Sequence, residues 1–230
     1  MSDYGDGCAE FYDDLYGPPN PNAVRALGRL VAGGSALELG VGTGRTALAL
    51  RNYCSHLVGI ESSSAMLDRF AVKRGADEVR VIEGDFSRVR LAERFDLIFV
   101  LINTLFLLET RALQSRCLSN VREMLSEAGV FVVEAYDPSP RVADGADDER
   151  VVSYKHEVRT AQGMRQYEAR LLYQSVNRLD SLAQAAGLEL GTRWANWLGA
   201  PYTPNASMHV SVYGHRRGAP PNKALQLTAR

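Results

Sequence analysis

Cysteine is scarce in this sequence of 230 residues, and the cysteines that it has are far apart. Cys8, Cys54 and Cys117 are the only three, an odd number without a pairing pattern. This spacing excludes a disulfide framework and favours a protein that is kept reduced in the cytoplasm. The sequence also lacks a Cys-x-x-Cys pair and a cluster of histidines, so no metal site is predicted.

Long apolar runs and blocks of positive charge are missing as well. The most apolar stretch, residues 97–108, is interrupted by Asn103 and falls short of the roughly twenty residues that a membrane span needs. The N-terminus lacks the basic and apolar regions of a signal peptide. The 26 lysines and arginines are balanced by 27 acidic residues and form no patch. We therefore expect neither a membrane nor a nucleic acid as a partner.

The length and composition predict one globular domain with a substantial core. Hydrophobic residues make up 46% of the chain and charged residues 23%, which is ordinary for a soluble protein. A chain of 230 residues is most naturally a single domain. We place this domain at residues 1–217 and expect the polar, proline-containing segment 218–230 to be a disordered tail.

What the sequence does contain is a glycine-rich segment between an apolar run and a helical pattern. Three glycines alternate with other residues in the segment 38–44, which reads ELGVGTG. The apolar residues predict a buried strand, and residues 45–52 predict a helix. Glycines permit positive φ and the close approach of a ligand, while a helix N-terminus favours a negative group. The turn is therefore expected to bind a nucleotide-like cofactor.

Two acidic positions follow at the ends of further predicted strands. Glu61 ends an apolar run about twenty residues after the turn, where an acid can accept hydrogen bonds from the ribose hydroxyls of an adenosine. Asp85 and Phe86 follow a third run, which starts at Val79. The dinucleotide fingerprint G-x-G-x-x-G requires a glycine where this chain has Arg45. These positions predict an adenosine-containing cofactor, and an NAD(P)-linked oxidoreductase is kept as an alternative.

The pattern E-x-G-x-G-x-G resembles motif I of the class I S-adenosylmethionine (SAM) methyltransferases, and the later acids fit the same family over residues 12–215. In this family an Asp at the place of Asp85 accepts a hydrogen bond from the adenine amino group. The N-terminal helix, with its Tyr-Asp pair, often folds over the cofactor as a lid. The cofactor-binding residues that the resemblance implies are Tyr12, Tyr16, Glu38, Gly40, Gly42, Gly44, Glu61, Met66, Asp85, Phe86 and Asn103.

The order of the remaining predicted elements agrees with that family. Strands alternate with helices and end in a late antiparallel pair, which predicts an α/β fold with a Rossmann-like seven-stranded sheet, mostly parallel, whose last strand is antiparallel. The helix that starts at Arg111 is predicted to run to Ala128 and to end at Gly129 as a C-cap. A β-hairpin is expected after strand five, at about residues 150–175. Its apolar face needs cover from the parent domain or a second subunit, so a homodimer is a candidate assembly.

Side chains for a methyl acceptor are expected at the carboxyl ends of strands four and five. Asn103 and Tyr136 emerge there, and His209 on the last strand is a candidate base. Trp194 and Trp197 are typical of a wall around a small apolar or cationic acceptor, or of a covered sheet edge. The resemblance implies transfer of a methyl group to the N or O of a small metabolite by in-line displacement, which mainly requires alignment. A SAM-binding partner without chemistry is the alternative.

Overall fold

The computed structural model describes residues 4–136, 151–160 and 163–216, and a seven-stranded sheet forms its centre. The described strands are β1 (Ser35–Leu39), β2 (His56–Glu61), β3 (Arg80–Glu83), β4 (Phe95–Val100), β5 (Leu125–Tyr136), β6 (Val152–Thr160), β7 (Gly163–Leu171), β8 (Leu188–Trp194) and β9 (Met208–His215). The sheet has the order β3-β2-β1-β4-β5-β9-β8. Strands β1 to β5 are parallel, whereas β9 is antiparallel to both of its neighbours. This topology confirms the predicted Rossmann-like fold.

Helices cover both faces of the sheet. The described helices are α1 (Tyr4–Cys8), α2 (Tyr12–Tyr16), α3 (Pro21–Val31), α4 (Arg45–Leu50), α5 (Ser64–Ala71), α6 (Arg111–Met124) and α7 (Val176–Ala185), with 3-10 turns at Ala9–Phe11, Arg51–Tyr53, Ala76–Glu78 and Thr104–Leu107. Successive residues of a strand point to opposite faces. Leu97 and Phe99 of β4 therefore pack with α3, α4 and α5, while Ile98 and Val100 pack with α6 and α7. Burial on both faces explains the unbroken apolar run of β4.

Strands β6 and β7 form the predicted hairpin as a separate two-stranded sheet. Its apolar face packs against the parent domain, because Tyr167 contacts the rings of Tyr4 and Phe11, and Leu171 belongs to the main core. The residues between them in the chain, such as Glu168, point away and are exposed. Of the two covers considered for the apolar face, the parent domain is the one observed, and the homodimer stays a prediction.

The predicted end of α6 is wrong. The helix ends at Met124, and Leu125 already pairs with Phe95 of β4. A register shift between Phe95 and Leu97 accommodates the extra residues of β5. Gly129 has no positive φ and lies within the strand, where an added Cβ would sit 2.7 Å from the carbonyl oxygen of Phe95. Pairing with β4 overrides the helical spacing, so the glycine is required by a close backbone approach and not by a C-cap.

The tail predicted at residues 218–230 lies outside the described residues. The end of the domain at residue 217 therefore stays a prediction. Within the ranges given above, no helix combines the length and the apolar character that crossing a membrane would require.

Substitution of Gly129 tests this corrected boundary. We expect Gly129→Ala and Gly129→Asn each to lower the free energy of unfolding by about 1–3 kcal/mol, because the new side chain overlaps a backbone carbonyl that cannot move freely. Urea denaturation followed by circular dichroism measures this change. Gly7→Ala is the control, since its Cβ would lie at an ordinary 3.8 Å from Tyr167. A C-cap glycine tolerates Asn, so parental stability of Gly129→Asn would contradict the assignment.

Candidate active site

The glycine loop after β1 has a left-handed backbone at each glycine. The φ angles of Gly40, Gly42 and Gly44 are 74°, 55° and 79°. An added Cβ would overlap the side chain of Thr104 at Gly40 and the ring of Phe70 at Gly44, whereas at Gly42 it would meet nothing within 4 Å. Gly40 and Gly44 therefore serve close packing of the loop, and Gly42 keeps open a cradle that a side chain would fill.

Glu61 ties the end of β2 to this loop. Its Oε2 accepts a hydrogen bond from Gly42 N at 2.9 Å, and its Oε1 accepts from Ser62 N and Ser63 N, each at 2.9 Å. A carboxylate offers about four acceptor positions, so one remains for a ribose hydroxyl. Glu61 also lines a small cavity of about 50 Å³ beside the loop.

Most of the predicted cofactor residues meet at this small cavity or directly beside it. Among its lining residues are Tyr12, Gly40, Gly42, Glu61, Met66 and Phe86. Asp85 is not one of them: its Oδ1 accepts from Ser87 N at 2.8 Å, and its Oδ2 pairs with Arg88 at 3.4 Å. In this conformation Asp85 stabilises its own turn, and its role toward adenine stays a prediction.

Arg45, the residue that breaks the dinucleotide fingerprint, holds the N-terminal segment over the loop. Its guanidinium donates to the carbonyl oxygens of Tyr16 at 2.9 Å, Gly17 at 2.6 Å and Pro18 at 3.1 Å. The same group lies over the rings of Tyr12 and Tyr16, 5.9 and 5.5 Å from their centroids. Arg45, which departs from the dinucleotide fingerprint, thus fixes the N-terminal segment that is predicted to be a lid.

A second tether joins this segment to the loop from the other side. Asp13 accepts a hydrogen bond from the Thr43 hydroxyl at 2.6 Å and pairs with Lys73 Nζ at 2.6 Å. Lys73 also donates to the carbonyl oxygen of Thr43 at 2.7 Å. Burial raises the pKa of Asp13, but hydrogen bonds from Lys73 and Thr43 outweigh it and hold the pKa below its usual value. A charged aspartate therefore holds the N-terminal segment to the glycine loop.

Glu38 is a buried acid with one unsatisfied oxygen. Burial raises its pKa well above the usual value, against the opposing effects of the Ala47 backbone N–H and the Arg45 charge. Within the described part of the chain, its Oε2 has no hydrogen-bond partner. Glu38 lines a void next to Gly40 together with Tyr12. The unsatisfied oxygen of this carboxyl group, beside the glycine loop, offers a partner for the ammonium group of SAM, so these residues fit that cofactor.

A larger cavity of about 600 Å³ adjoins the loop at the carboxyl ends of β4 and β5. The N-terminal helices and the β6–β7 hairpin cover it. Seven tyrosines line it: Tyr4, Tyr12, Tyr16, Tyr136, Tyr154, Tyr167 and Tyr173. The charged or titratable groups among the other described lining residues are Arg45, Glu134 and His156. The cavity is thus aromatic, with a carboxylate at the end of β5.

The structure brings Asn103 and Tyr136 together at the floor of this cavity. Asn103 Oδ1 accepts from the backbone N–H of Tyr136 at 2.8 Å, and its Nδ2 lies 3.4 Å from the Tyr173 hydroxyl. Tyr136 is 45% exposed. Burial, and then the charge of Glu134, raise the pKa of Tyr136. Both residues can face an acceptor, but the Asn103 amide is already engaged in holding the ends of the strands.

His209 and the two tryptophans are not brought to the cavity. His209 is buried in β9, between two other strands, with Nδ1 2.9 Å from Ser211 Oγ. Trp194 and Trp197 are buried as well, and neither lines the cavity. Trp197 Nε1 instead donates to Glu134 Oε1 at 2.7 Å. Of the two alternatives for these tryptophans, the structure favours the covered sheet edge, because both rings belong to a core cluster and neither lines this cavity.

Sequence reasoning missed four parts of the two cavities: Tyr4, Thr104, Glu134 and the hairpin tyrosines. Glu134 had a visible signal, since it is the one charged residue in the apolar run 130–136. The hairpin tyrosines recur on the apolar face of alternating strands, which predicts burial but not the surface that they cover. Tyr4 stands among small and acidic residues, and nothing local marks it.

Gly42→Ala tests the cradle. We expect SAM to bind at least about tenfold more weakly, because the alanine side chain would enter the open space beside residue 42. Gly40 and Gly44 have no such space beside them. Gly33→Ala is the matched control: Gly33 also has a positive φ of 83° and open space around it, but lies before β1. Both variants carry the same left-handed strain of about 1–2 kcal/mol. Calorimetric titration with SAM should separate them, and equal affinities would contradict the placement of the cofactor.

Glu38→Gln tests the buried acid. Because the folded carboxyl keeps its proton where the unfolded one has released it, the parent loses stability as pH rises from the ordinary glutamate pKa through the raised pKa of Glu38. The variant lacks this loss. We expect it to melt above the parent at about pH 8, with the difference shrinking toward about pH 5, and to bind SAM about tenfold more weakly. Thermal unfolding with and without SAM checks both, and unchanged SAM affinity would refute the assigned role.

Comparison with known proteins agrees with this geometry. Residues 36–129 match the methyltransferase domain family. The CcbJ methyltransferase from Streptomyces caelestis is 31% identical, with a TM-score of 0.81 over 93% of this chain and 98% of that protein. A cypemycin N-terminal methyltransferase from a Streptomyces species is 29% identical over 161 residues, which span 67% of this chain and 65% of that protein.

A third protein shares the fold at lower identity and was crystallised with the cofactor. The glycopeptide N-methyltransferase MtfA in complex with SAM is 17% identical, with a TM-score of 0.64 over 89% of this chain and 90% of that protein. The chain belongs to the class I SAM-dependent methyltransferases, with SAM as its cofactor.

Proposed function

We propose that this methyltransferase acts on an amine nitrogen of a small metabolite of the natural-product kind. The observation that carries the proposal is the aromatic cavity that adjoins the glycine loop. Its volume of about 600 Å³ lies within the range of 300–1,000 Å³ that is typical of small-molecule sites. The cypemycin relative is an N-terminal methyltransferase, which supports nitrogen as the target.

The lining of the cavity suits an amine better than an acidic group. Tyrosine faces attract cations, and Glu134 contributes the one carboxylate among the described lining residues. The one guanidinium, that of Arg45, is engaged with three carbonyl oxygens of the N-terminal segment. A phosphate or carboxylate acceptor would therefore find no free lysine or arginine among the described lining residues.

The tyrosine hydroxyls can orient the nitrogen but are not suited to act as tyrosinate bases. Burial raises the pKa of Tyr136 and of Tyr173, so both hydroxyls remain neutral over the physiological range. SAM supplies the methyl group and its own leaving group. The chain then has to bind the acceptor and hold its lone pair in line. An amine that arrives protonated must lose its proton before transfer, because the ammonium form has no lone pair.

The cytoplasm is the proposed compartment. Cys8, Cys54 and Cys117 are all free thiols, which suits a reducing environment. A homodimer is also proposed, and light scattering after size-exclusion chromatography measures the mass directly. The outward residues of the hairpin, such as Lys155 and Glu168, are exposed and charged, so we propose no dimer contact through that face.

Matched acceptors test the reaction. The enzyme is incubated with methyl-labelled SAM and pairs of small molecules that differ only in carrying an amine or a hydroxyl. We expect label in the amines, with kcat/KM rising about tenfold per pH unit below the pKa of each amine, because only the neutral form reacts. Gly42→Ala is the control, and at a SAM concentration below saturation it should transfer label more slowly because it binds SAM more weakly. Label in the alcohols alone would replace nitrogen by oxygen, and SAM binding without transfer to any acceptor would favour a non-catalytic partner.

A further inference from the structure

The turn that follows β4 is strained. Ile102 and Asn103 are consecutive and both left-handed, with φ of 48° and 63°. Asn tolerates this conformation, but a β-branched residue such as Ile rarely adopts it. The other described non-glycine residue with positive φ is Ala32, which ends helix α3 as an ordinary left-handed C-cap. The strain at Ile102 persists only if neighbouring groups hold the turn in place.

One residue of β5 holds both strained positions. Glu134 accepts a hydrogen bond from Ile102 N through its side-chain Oε2 at 3.1 Å. It accepts another from Asn103 N through its backbone oxygen at 3.3 Å. Its second carboxylate oxygen, Oε1, accepts from Trp197 Nε1 at 2.7 Å. Glu134 is 8% exposed and both of its carboxylate oxygens accept hydrogen bonds, so the carboxylate is a rigid support for the turn.

This turn is the wall shared by the two halves of the active site. Ile102 and Thr104 line the aromatic cavity and also the void beside Glu38. The methyl group of Thr104 packs onto the glycine loop so closely that a Cβ at Gly40 would overlap it. A shift of the turn would therefore move the cofactor cradle and the acceptor cavity relative to each other.

We propose that Glu134 is a positioning residue whose carboxylate, held by Trp197, keeps the Ile102–Asn103 turn in its left-handed conformation and so sets the geometry of the SAM site. The inference depends on SAM binding and not on the nature of the acceptor. The competing role for Glu134 is direct contact with the acceptor or its proton. In that case the strain of Ile102 would be unrelated to Glu134, and relieving it would restore nothing.

The test combines loss of the carboxylate with relief of the strain. Glu134→Gln leaves one side-chain oxygen for two N–H donors, so the turn loses a partner. We expect S-adenosylhomocysteine (SAH) to bind about tenfold more weakly to this variant in calorimetric titration. Adding Ile102→Gly, which permits positive φ without strain, should return the affinity to within about threefold of Ile102→Gly alone. Ile102→Ala is the matched control, since it removes most of the same side chain but keeps a Cβ and should rescue less.

Several results would overturn the proposal. One is SAH affinity in Glu134→Gln equal to that of the parent, even with a lower melting temperature, because a purely structural carboxylate would affect stability alone. Another is a double variant in which the two losses simply multiply, without rescue. If Glu134→Gln does not fold, Trp197→Phe is used in its place, because this substitution removes the donor to Glu134 and keeps a large ring. Trp197→Phe should also weaken SAH binding, and adding Ile102→Gly should restore it. The absence of either effect counts against the proposal.

SAH contains no acceptor, so these outcomes are independent of whether nitrogen or oxygen is methylated. A failed amine assay with intact rescue would overturn the proposed function alone. A successful amine assay without rescue would overturn the role of Glu134 alone.

Discussion

The left-handed backbone of the glycine loop is the constraint on which the rest of the site depends. With positive φ at Gly40, Gly42 and Gly44, the chain turns sharply from β1 into α4, and the N–H groups of Gly40 and Val41 donate to the carbonyl oxygen of Ile60 in β2. Glu61 accepts a hydrogen bond from the N–H of Gly42, and Thr104, in the turn after β4, packs against the loop. The ends of three adjacent strands are therefore located by contacts with one short turn.

Two acids near this turn, Glu38 and Glu134, are buried at a cost in folding stability. Glu38 is buried with an unsatisfied oxygen, and burial raises the pKa of Glu134 despite its hydrogen bonds from Trp197 and Ile102. Apolar residues at these positions would avoid the cost of burying a carboxyl group. Both acids instead lie at the carboxyl edge of the sheet, where the ligands of α/β folds bind. Ligand binding, and not packing of the core, therefore explains why carboxyl groups occupy these two positions.

The fold and the cofactor loop could be predicted from the sequence because their signals are local. The alternation of glycines fixes the conformation of the loop, and Glu61 stands where its strand ends. The end of α6 was mispredicted because pairing between Leu125 and Phe95 is a contact between distant residues, and helical spacing carries no trace of it. The burial of His209 could not be predicted for a similar reason, since it depends on β9 lying between β5 and β8. The contribution of Tyr4 to the aromatic cavity depends on how the hairpin and the N-terminal helices meet.

The packing of α1 has a consequence for how tightly the enzyme can hold SAM. Gly5 lies against Ser63 so closely that a Cβ would overlap it, and Asp6 accepts a hydrogen bond from the Ser63 hydroxyl. The space left beside Glu61 is about 50 Å³, far below the volume of a typical ligand pocket. If α1 keeps this position in the free enzyme, adenosine can reach Glu61 only after α1 has moved away. The apparent dissociation constant then equals the intrinsic one divided by the fraction of open molecules. Each contact that closes the N-terminal segment in the free enzyme lowers the measured affinity, while the same contacts slow the departure of the cofactor if they re-form around it.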